Sequence, residues 1–171
     1  MNKTLVASLV ALTLASASLT RAGDVDAKAA FQRLKTLVGD WEGRGDQPNG
    51  FPVKAEFRLS GAGSVVTERL FPGTEHEMMT VYYLDGNDLV LTHYCAGANQ
   101  PHMKLVAGGA DGALKFDFVS GTNLDPQKTS HMHEAVFTSI APDKYEATWS
   151  SFAEGKPSGG HTFFMTKAGA K

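Results

Sequence analysis

The residues with the most capacity for chemistry are histidines spaced two apart in predicted strands. His131 and His133 lie in a segment with β-strand alternation, where residues i and i+2 share one face. Two imidazoles at this spacing suit one Zn²⁺ or iron ion, with a third ligand from a neighbouring strand. His93 and Cys95 share a face in the same way, and either is a candidate for that third ligand. The other interpretations are a polar cavity lining without metal, and a structural or solvent-facing role.

The orientation of the segment that contains His131 and His133 decides what these two histidines can do. Ala135 and Phe137 continue the histidine face, so an inward orientation of that face places both imidazoles inside the fold. The opposite orientation turns Glu134 into the core. A buried carboxylate needs a partner and has a shifted pKa, which makes it a candidate acid. The sequence leaves both orientations open.

A predicted hairpin and the loop after it carry further polar groups. Segments 78–84 and 89–95 are rich in aromatic and β-branched residues, and the run 85–88 (Asp-Gly-Asn-Asp) supplies residues that tight turns favour. Tyr94 adds a hydroxyl beside His93. Asn99 begins a rigid Asn-Gln-Pro turn, where its amide either bonds to the loop backbone or contacts a ligand at the rim of the fold.

Glu68 is a candidate buried acid. It alternates with Val66 and Leu70 in a predicted strand, so the three side chains share one face. A buried carboxylate beside an inward arginine or histidine can orient a polar ligand or act as a general base. The alternative is an interior ion pair that only fixes the strand register.

No motif in the sequence names a reaction. It contains no nucleophile elbow, no phosphate-binding glycine loop, no zinc-protease helix motif and no paired-cysteine metal motif. Cys95 is the only cysteine, so it forms no internal disulfide. A buried, inert thiol is the favoured interpretation. A metal-binding or reactive thiol and an intermolecular disulfide are the alternatives.

The strands that carry these residues follow one another from residue 40 onward. About ten segments alternate with a period of two, and short turns separate them. Short connections make sequence neighbours pair antiparallel. Closure removes the exposed edges, so the sequence predicts an all-β fold, an up-and-down antiparallel β-barrel of about ten strands. A two-sheet sandwich is the alternative. A barrel of about this size has room for side chains and a modest ligand.

One helix is predicted before the strands, from Asp24 to Val38. Asp24 is its candidate N-cap, and Phe31, Leu34 and Leu37 follow helical spacing. The helix has a single apolar stripe, which has to pack against another element. We therefore expect it to close one end of the barrel.

The first 22 residues have the features of a secretory signal peptide. Lys3 gives a positive start, residues 5–14 form a mostly apolar run too short to span a membrane, and small residues follow up to Ala22. The predicted mature chain, residues 23–171, is one domain in the periplasm or outside the cell. Removal of Lys3 and Arg21 leaves it mildly acidic, which argues against nucleic acid as a partner.

Two sets of motifs carry a family resemblance. Residues 37–45 (LVGDWEGRG) resemble the G-x-W-x-G-x-G opening of calycin-like barrels, nitrobindin-like domains in particular. Residues 71–101, with the runs FPGT, HEM, LTHYC and NQP, are similar to a family of secreted bacterial domains of unknown function placed near the lipocalins. The resemblance covers residues 34–167. It implies a lipocalin-like barrel with an N-terminal helix at one end, and it implies no activity.

The resemblance also concerns two single residues. The tryptophan of the first motif, which is Trp41 in this sequence, packs across the closed end of calycin-type barrels. Nitrobindins hold haem through a histidine late in the chain, and His161 in the final predicted strand is the nearest candidate. Haem, with His161 as its ligand, is therefore an alternative that the resemblance implies and not the favoured interpretation.

Three functions from different classes are consistent with the sequence. The first, which we favour, is binding of a small, largely apolar or aromatic molecule in the barrel. Its candidate polar contacts are His93, Tyr94, Asn99, His131, His133 and Glu68. The second is a protein or enzyme that binds haem or a divalent metal through His93, His131 and His133. The third is a structural or interaction module with a filled barrel. Nothing in the pattern points to a particular oligomeric state.

Overall fold

The fold consists of one helix followed by ten strands. The structure is a computed structural model that describes residues 25–46 and 50–169. The helix is α1 (Ala27–Thr36). In chain order the strands are β1 (Gly39–Gly45), β2 (Pro52–Ser60), β3 (Val65–Leu70), β4 (Met78–Asp85), β5 (Asp88–Tyr94), β6 (Gln100–Ala107), β7 (Leu114–Thr122), β8 (His131–Thr138), β9 (Lys144–Ala153) and β10 (Lys156–Lys167).

The ten strands form a closed barrel. Each strand pairs antiparallel with its neighbours in sequence, as short connections require. The circle closes where β1 pairs with β10, in a register that runs from Trp41 opposite Lys167 to Gly45 opposite Phe163. The predicted fold class, an all-β up-and-down antiparallel barrel of ten strands with one helix, is confirmed. The sandwich alternative does not apply.

Helix α1 is shorter than the sequence predicts and begins later. Asp26 is its N-cap, because its Oδ1 accepts a hydrogen bond from the backbone N–H of Ala29 at 2.9 Å. The predicted cap, Asp24, lies outside the described residues. Phe31 and Leu34 are buried on the predicted apolar stripe. No helix within the described ranges is long and apolar enough to cross a membrane.

Trp41 packs at the helix end of the barrel, as the resemblance implies. Its indole N–H donates to the carbonyl oxygen of Leu37, which follows α1, at 2.6 Å. Its ring meets the edge of Tyr145 at 4.8 Å between centroids, and the Lys167 ammonium lies 5.4 Å from its ring. Further buried aromatic residues fill this half of the interior: Phe57, Tyr82, Phe116 and Phe137. The helix end is therefore a packed core.

Strand β6 begins earlier than the sequence predicts. Residues 96–101 are predicted as a loop, but Gln100 and Pro101 already pair with β7. The Gln100 side chain accepts hydrogen bonds from the Thr122 hydroxyl and the Asn123 amide, which extends β7 as well. Proline is usually found in turns or edge strands, so the sequence pattern placed the start of β6 too late.

The seam between β1 and β10 is the place where a small side-chain change has the largest expected effect. A Cβ atom added at Gly43 would lie 2.1 Å from the carbonyl oxygen of Phe164 and 2.7 Å from Met165 Sδ. We expect Gly43→Ala to lower the free energy of unfolding by about 3 kcal/mol, because the β10 backbone has to move.

Gly97→Ala is the matched control for this seam. A Cβ atom at Gly97 meets only ordinary contacts, at 3.5 and 3.6 Å, so urea unfolding of this variant is expected to stay within about 0.5 kcal/mol of the unmodified protein. Equal midpoints for Gly43→Ala and the unmodified protein would contradict a tight closure at this seam.

Candidate functional site

A cleft with a cavity volume of about 250 Å³ opens at the end of the barrel opposite α1. This end is formed by the last residues of odd-numbered strands and the first residues of even-numbered strands. Most of the described lining is aromatic, sulfur-containing or imidazole side chains, and none of it is lysine or arginine. It includes Phe51, Phe71, His93, Met132, Trp149 and Phe163. The cleft is therefore an apolar concavity with a few polar groups.

His93 and Trp149 form the buried floor of this cleft. They are 2% and 3% exposed, and their ring centroids lie 4.7 Å apart. His93 Nδ1 is 2.9 Å from the hydroxyl of Thr80. Within the described chain, His93 Nε2 and Trp149 Nε1 have no hydrogen-bond partner. Burial lowers the pKa of His93 to about 4, so its ring is neutral at physiological pH.

Three phenylalanines form the aromatic wall at the mouth. The ring centroids of Phe51, Phe71 and Phe163 lie 6.0 to 6.3 Å apart in each pair. Phe71 has a φ of +55°, a left-handed conformation that is rare for a bulky residue. This backbone geometry brings the Phe71 side chain into the cleft directly after the end of β3. Strained backbone of this kind is concentrated at functional sites in proteins.

An ion pair holds the loop that carries Phe71. Arg69 Nη2 lies 2.7 Å from Glu77 Oε2, and the same carboxylate accepts the backbone N–H of Gly73 at 2.6 Å. The hydrogen bond from Arg69 lowers the pKa of Glu77, and the Gly73 bond lowers it further. The ion pair and the Gly73 hydrogen bond therefore hold the loop in place around Phe71, which keeps its strained backbone conformation.

His161 stands at the rim of the cleft and is oriented by Asp46. Its Nδ1 lies 2.8 Å from Asp46 Oδ2, and Asp46 Oδ1 accepts the backbone N–H of Thr162 at 3.1 Å. The hydrogen bond from His161 lowers the pKa of Asp46. The ring meets the edge of Phe51 at 5.8 Å, and its side chain is 53% exposed. In the described part of the chain, no hydrogen bond engages His161 Nε2.

Glu68 is buried inside the barrel, as the alternation predicts. The Tyr82 hydroxyl donates to its Oε2 at 2.6 Å, and Glu68 is 2% exposed. Burial raises the pKa of Glu68 to about 7, although the Tyr82 hydrogen bond acts in the opposite direction. Its partner is therefore a tyrosine rather than the predicted arginine or histidine. Glu68 is not among the residues that line the cleft.

His131 and His133 hydrogen-bond to each other. His131 Nδ1 lies 2.7 Å from the carbonyl oxygen of Thr129, and its Nε2 lies 3.0 Å from His133 Nδ1. The His133 ring stacks between Phe118 at 5.0 Å and Phe152 at 3.7 Å. Burial lowers the pKa of His133, and the neighbouring His131 lowers it further.

The predicted metal ligands are not brought together. His93 lies against Trp149 in the cleft, whereas His131 and His133 bond to each other and pack against phenylalanines. Across residues 25–46 and 50–169, no group of three or more His, Cys, Asp or Glu side chains is arranged to hold a metal ion.

A β-bulge explains the position of the two histidines. The register between β8 and β9 shifts between Met132 and Glu134, so the simple alternation fails at His133. Met132 lines the cleft, while Ala135 and Phe137 are buried in the core. Glu134 points outward and pairs with the Lys115 ammonium at 2.9 Å, so it is not the buried acid of the second orientation.

The remaining candidates lie in and after β5. Tyr94 is 49% exposed on the outer surface opposite Met79, so it does not line the cleft. Asn99 is buried, and its amide donates to the carbonyl oxygen of Ser130 at 2.9 Å, which is the loop-bonding role. Cys95 is partly exposed rather than buried, and its Sγ accepts the backbone N–H of Gly97 at 3.4 Å.

The comparisons with known proteins show the fold. No family model matches the chain, and no curated protein matches it. Among solved structures, the chain is similar to Rv2717c from M. tuberculosis, with a TM-score of 0.52 and 16% identity over 81% of this chain and 96% of that one. At this identity the likeness supports the barrel architecture alone.

A second solved structure is similar over a smaller share of its length. It is a DUF3598 family protein of unknown function from Nostoc punctiforme, with a TM-score of 0.42 and 13% identity. The match covers 78% of this chain and 48% of that protein, so this chain spans about half of its length.

Sequence reasoning missed several residues of the cleft. In the sequence, Trp149 shares one face of a predicted strand with Tyr145 and Ala147, but no pattern separates a cleft floor from ordinary core. Phe51 begins a predicted strand and Phe163 lies in the final predicted strand, and nothing in the sequence marks either as a site residue. The feature that links these residues is that they lie at the same end of the closed barrel.

Two buried titratable groups predict opposite effects of pH on stability. The pKa of Glu68 is about 7 in the folded protein and 4.5 when exposed. Its contribution to the free energy of unfolding is therefore largest at low pH and is lost as the pH rises from 4.5 to 7. His93 has a folded pKa of about 4 against 6.5, so its stability is lost as pH falls from 6.5 to 4. Each effect has an upper limit of about 3 kcal/mol.

Urea unfolding of Glu68→Gln tests the first effect. Glutamine still accepts the Tyr82 hydrogen bond but does not ionise, so the variant should lose less stability than the unmodified protein between pH 5 and pH 7.5. The exposed Glu75→Gln is the matched control and should follow the unmodified protein. Parallel pH profiles for Glu68→Gln and the unmodified protein would show that Glu68 is not a buried neutral acid.

Proposed function

We propose that this protein binds a small, largely apolar or aromatic molecule in the cleft at the open end of its barrel. The observation that carries this proposal is an apolar cavity of about 250 Å³ with unpartnered polar atoms on its buried floor. Ligand sites in proteins are typically concave and apolar, with a small number of placed polar groups. The proposed setting is the periplasm or the exterior, on the basis of the first 22 residues, which lie outside the described ranges.

The size of the cleft limits the ligand. An apolar cavity of roughly 150 Å³ holds benzene. A cavity of about 250 Å³ therefore suits one aromatic ring with a short substituent, or two fused rings. The wall of Phe51, Phe71 and Phe163 offers ring edges and faces to such a molecule. His93 is the sequence-predicted contact that lines this space; Tyr94 does not.

Blocking the cleft tests the proposal. We expect naphthalene and ethylbenzene to raise the unfolding midpoint of the unmodified protein, because they bind the folded state alone. Ala96 lines the mouth, and Ala96→Phe should abolish the rise by filling the space. Ala107→Phe, at the helix end of β6, is the matched control and should retain it. Equal midpoint shifts in both variants would place binding elsewhere and refute the proposal.

A second candidate function is haem binding through His161. The arrangement that favours it is the Asp46 carboxylate on His161 Nδ1, which leaves Nε2 available as a ligand beside an apolar cleft. These residues fit haem. The mouth of the cleft is open, so the part of a haem that exceeds the cavity would lie in solvent. Bound haem would supply a redox-active iron, and the chain would supply the oriented imidazole and the apolar wall.

Haemin titration tests this second function. Binding should shift the Soret band, and His161→Ala should lose the shift and regain it when free imidazole is added. His102→Ala is the control, because His102 bonds to the Thr92 hydroxyl at 2.9 Å and does not line the cleft. The same Soret spectrum for His161→Ala and the unmodified protein would rule out His161 as the ligand.

A further inference from the structure

The floor of the cleft holds most of the unsatisfied polar atoms of the described interior. Three buried side-chain nitrogen or oxygen atoms in the described residues have no hydrogen-bond partner: His93 Nε2, Trp149 Nε1 and Asn99 Oδ1. The first two belong to neighbouring rings that line the same cleft. A buried polar atom without a partner costs free energy, so two of them at one cleft indicate a missing partner there.

Trp149 Nε1 is a donor by its chemistry, and the role of His93 Nε2 depends on the tautomer of the ring. The indole Nε1 of tryptophan carries a hydrogen and only donates. The Thr80 hydroxyl is buried and lies 2.9 Å from His93 Nδ1, and we assign it as the donor in that bond. The single hydrogen of the neutral imidazole is then on Nε2. With this assignment, both unpartnered nitrogens of the floor are neutral donors, which defines the chemistry of the partner.

We propose that the natural ligand carries a neutral hydrogen-bond acceptor at its buried end, of the class of an aromatic ketone, aldehyde or quinone, and that Trp149 Nε1 and His93 Nε2 donate to its oxygen. This inference depends on the proposed function, because it uses the same cleft. A carboxylate fits the floor less well than a carbonyl. No lysine or arginine is among the described lining residues, and an ion buried without a partner charge is costly.

Entry of the acceptor requires a small movement. Both nitrogens are covered by neighbouring atoms in the structure. Met132 lines the same cleft and is partly buried, and its unbranched thioether side chain changes conformation readily. We therefore expect the ligand to displace Met132 as its oxygen reaches the floor.

A matched pair of ligands tests the inference on the unmodified protein. Acetophenone and α-methylstyrene have nearly the same shape and differ by an oxygen in place of a CH₂ group. Acetophenone should bind about tenfold more tightly, the preference expected for one or two neutral hydrogen bonds. It should also move the Trp149 indole proton downfield in ¹H–¹⁵N spectra, whereas α-methylstyrene should bind without that shift.

The chain contains an internal reference for this measurement. It has two tryptophans, and Trp41 Nε1 already donates to Leu37 at the helix end. The Trp41 signal should stay in place with both ligands. In His93→Phe the preference for acetophenone should fall to about threefold or less, because one of the two donors is gone. His102→Phe, at a residue that does not line the cleft, is the matched control and should retain the full preference.

The outcomes separate this inference from the proposed function. If both ligands bind in the cleft with equal affinity, or if acetophenone binds and leaves the Trp149 signal unshifted, the floor donors do not select the ligand and the inference is wrong. The proposed function would survive that result. If neither ligand binds in the cleft, both fail. If His93→Phe does not fold, the affinities of the two ligands and the Trp149 signal in the unmodified protein still decide whether the inference holds.

Discussion

The pairing of β1 with β10 is the interaction on which the rest of the structure depends. It converts a ribbon of ten strands into a tube, and it gives both terminal strands a hydrogen-bonded neighbour on each side. Gly43 allows the close approach, because a side chain there would meet the β10 backbone. Once the tube is closed, every inward side chain shares one interior, and residues distant in sequence become neighbours across it.

The two ends of this interior have different compositions. At the helix end, Trp41 and Tyr145 pack edge to face under α1, and aromatic side chains leave a solid core. Glu68 and Tyr82 add a hydrogen-bonded acid within the barrel. At the other end, Phe51, Phe71 and Phe163 line the cleft and do not fill it. This polarity follows from the topology, since α1 directly precedes β1 and packs against the end where β1 begins.

The sequence predicted what alternation and turn chemistry control. Short connections between alternating segments were sufficient for the antiparallel barrel, and the spacing of Glu68 was sufficient for its burial. The family motif indicated the position of Trp41. The expected alternation at His131 and His133 fails because of a single backbone irregularity. The register shift at His133 breaks the strict alternation of β8, and the residue types in this segment do not predict it. Tyr94 fails for a different reason: it is adjacent to His93 in β5, and adjacent strand residues face opposite sides.

The backbone of Phe71 has a consequence for any effort to make this protein more robust. A non-glycine residue in the left-handed region costs about 1 kcal/mol or more, so Phe71→Gly relaxes the main chain. The same change removes a ring that packs against Phe51 and Phe163, and the loss of that packing costs more than the relief of strain. The substitution therefore lowers the stability of the protein and also removes one wall of the cleft. A search for stabilising substitutions guided by backbone angles alone would select the wrong residue here.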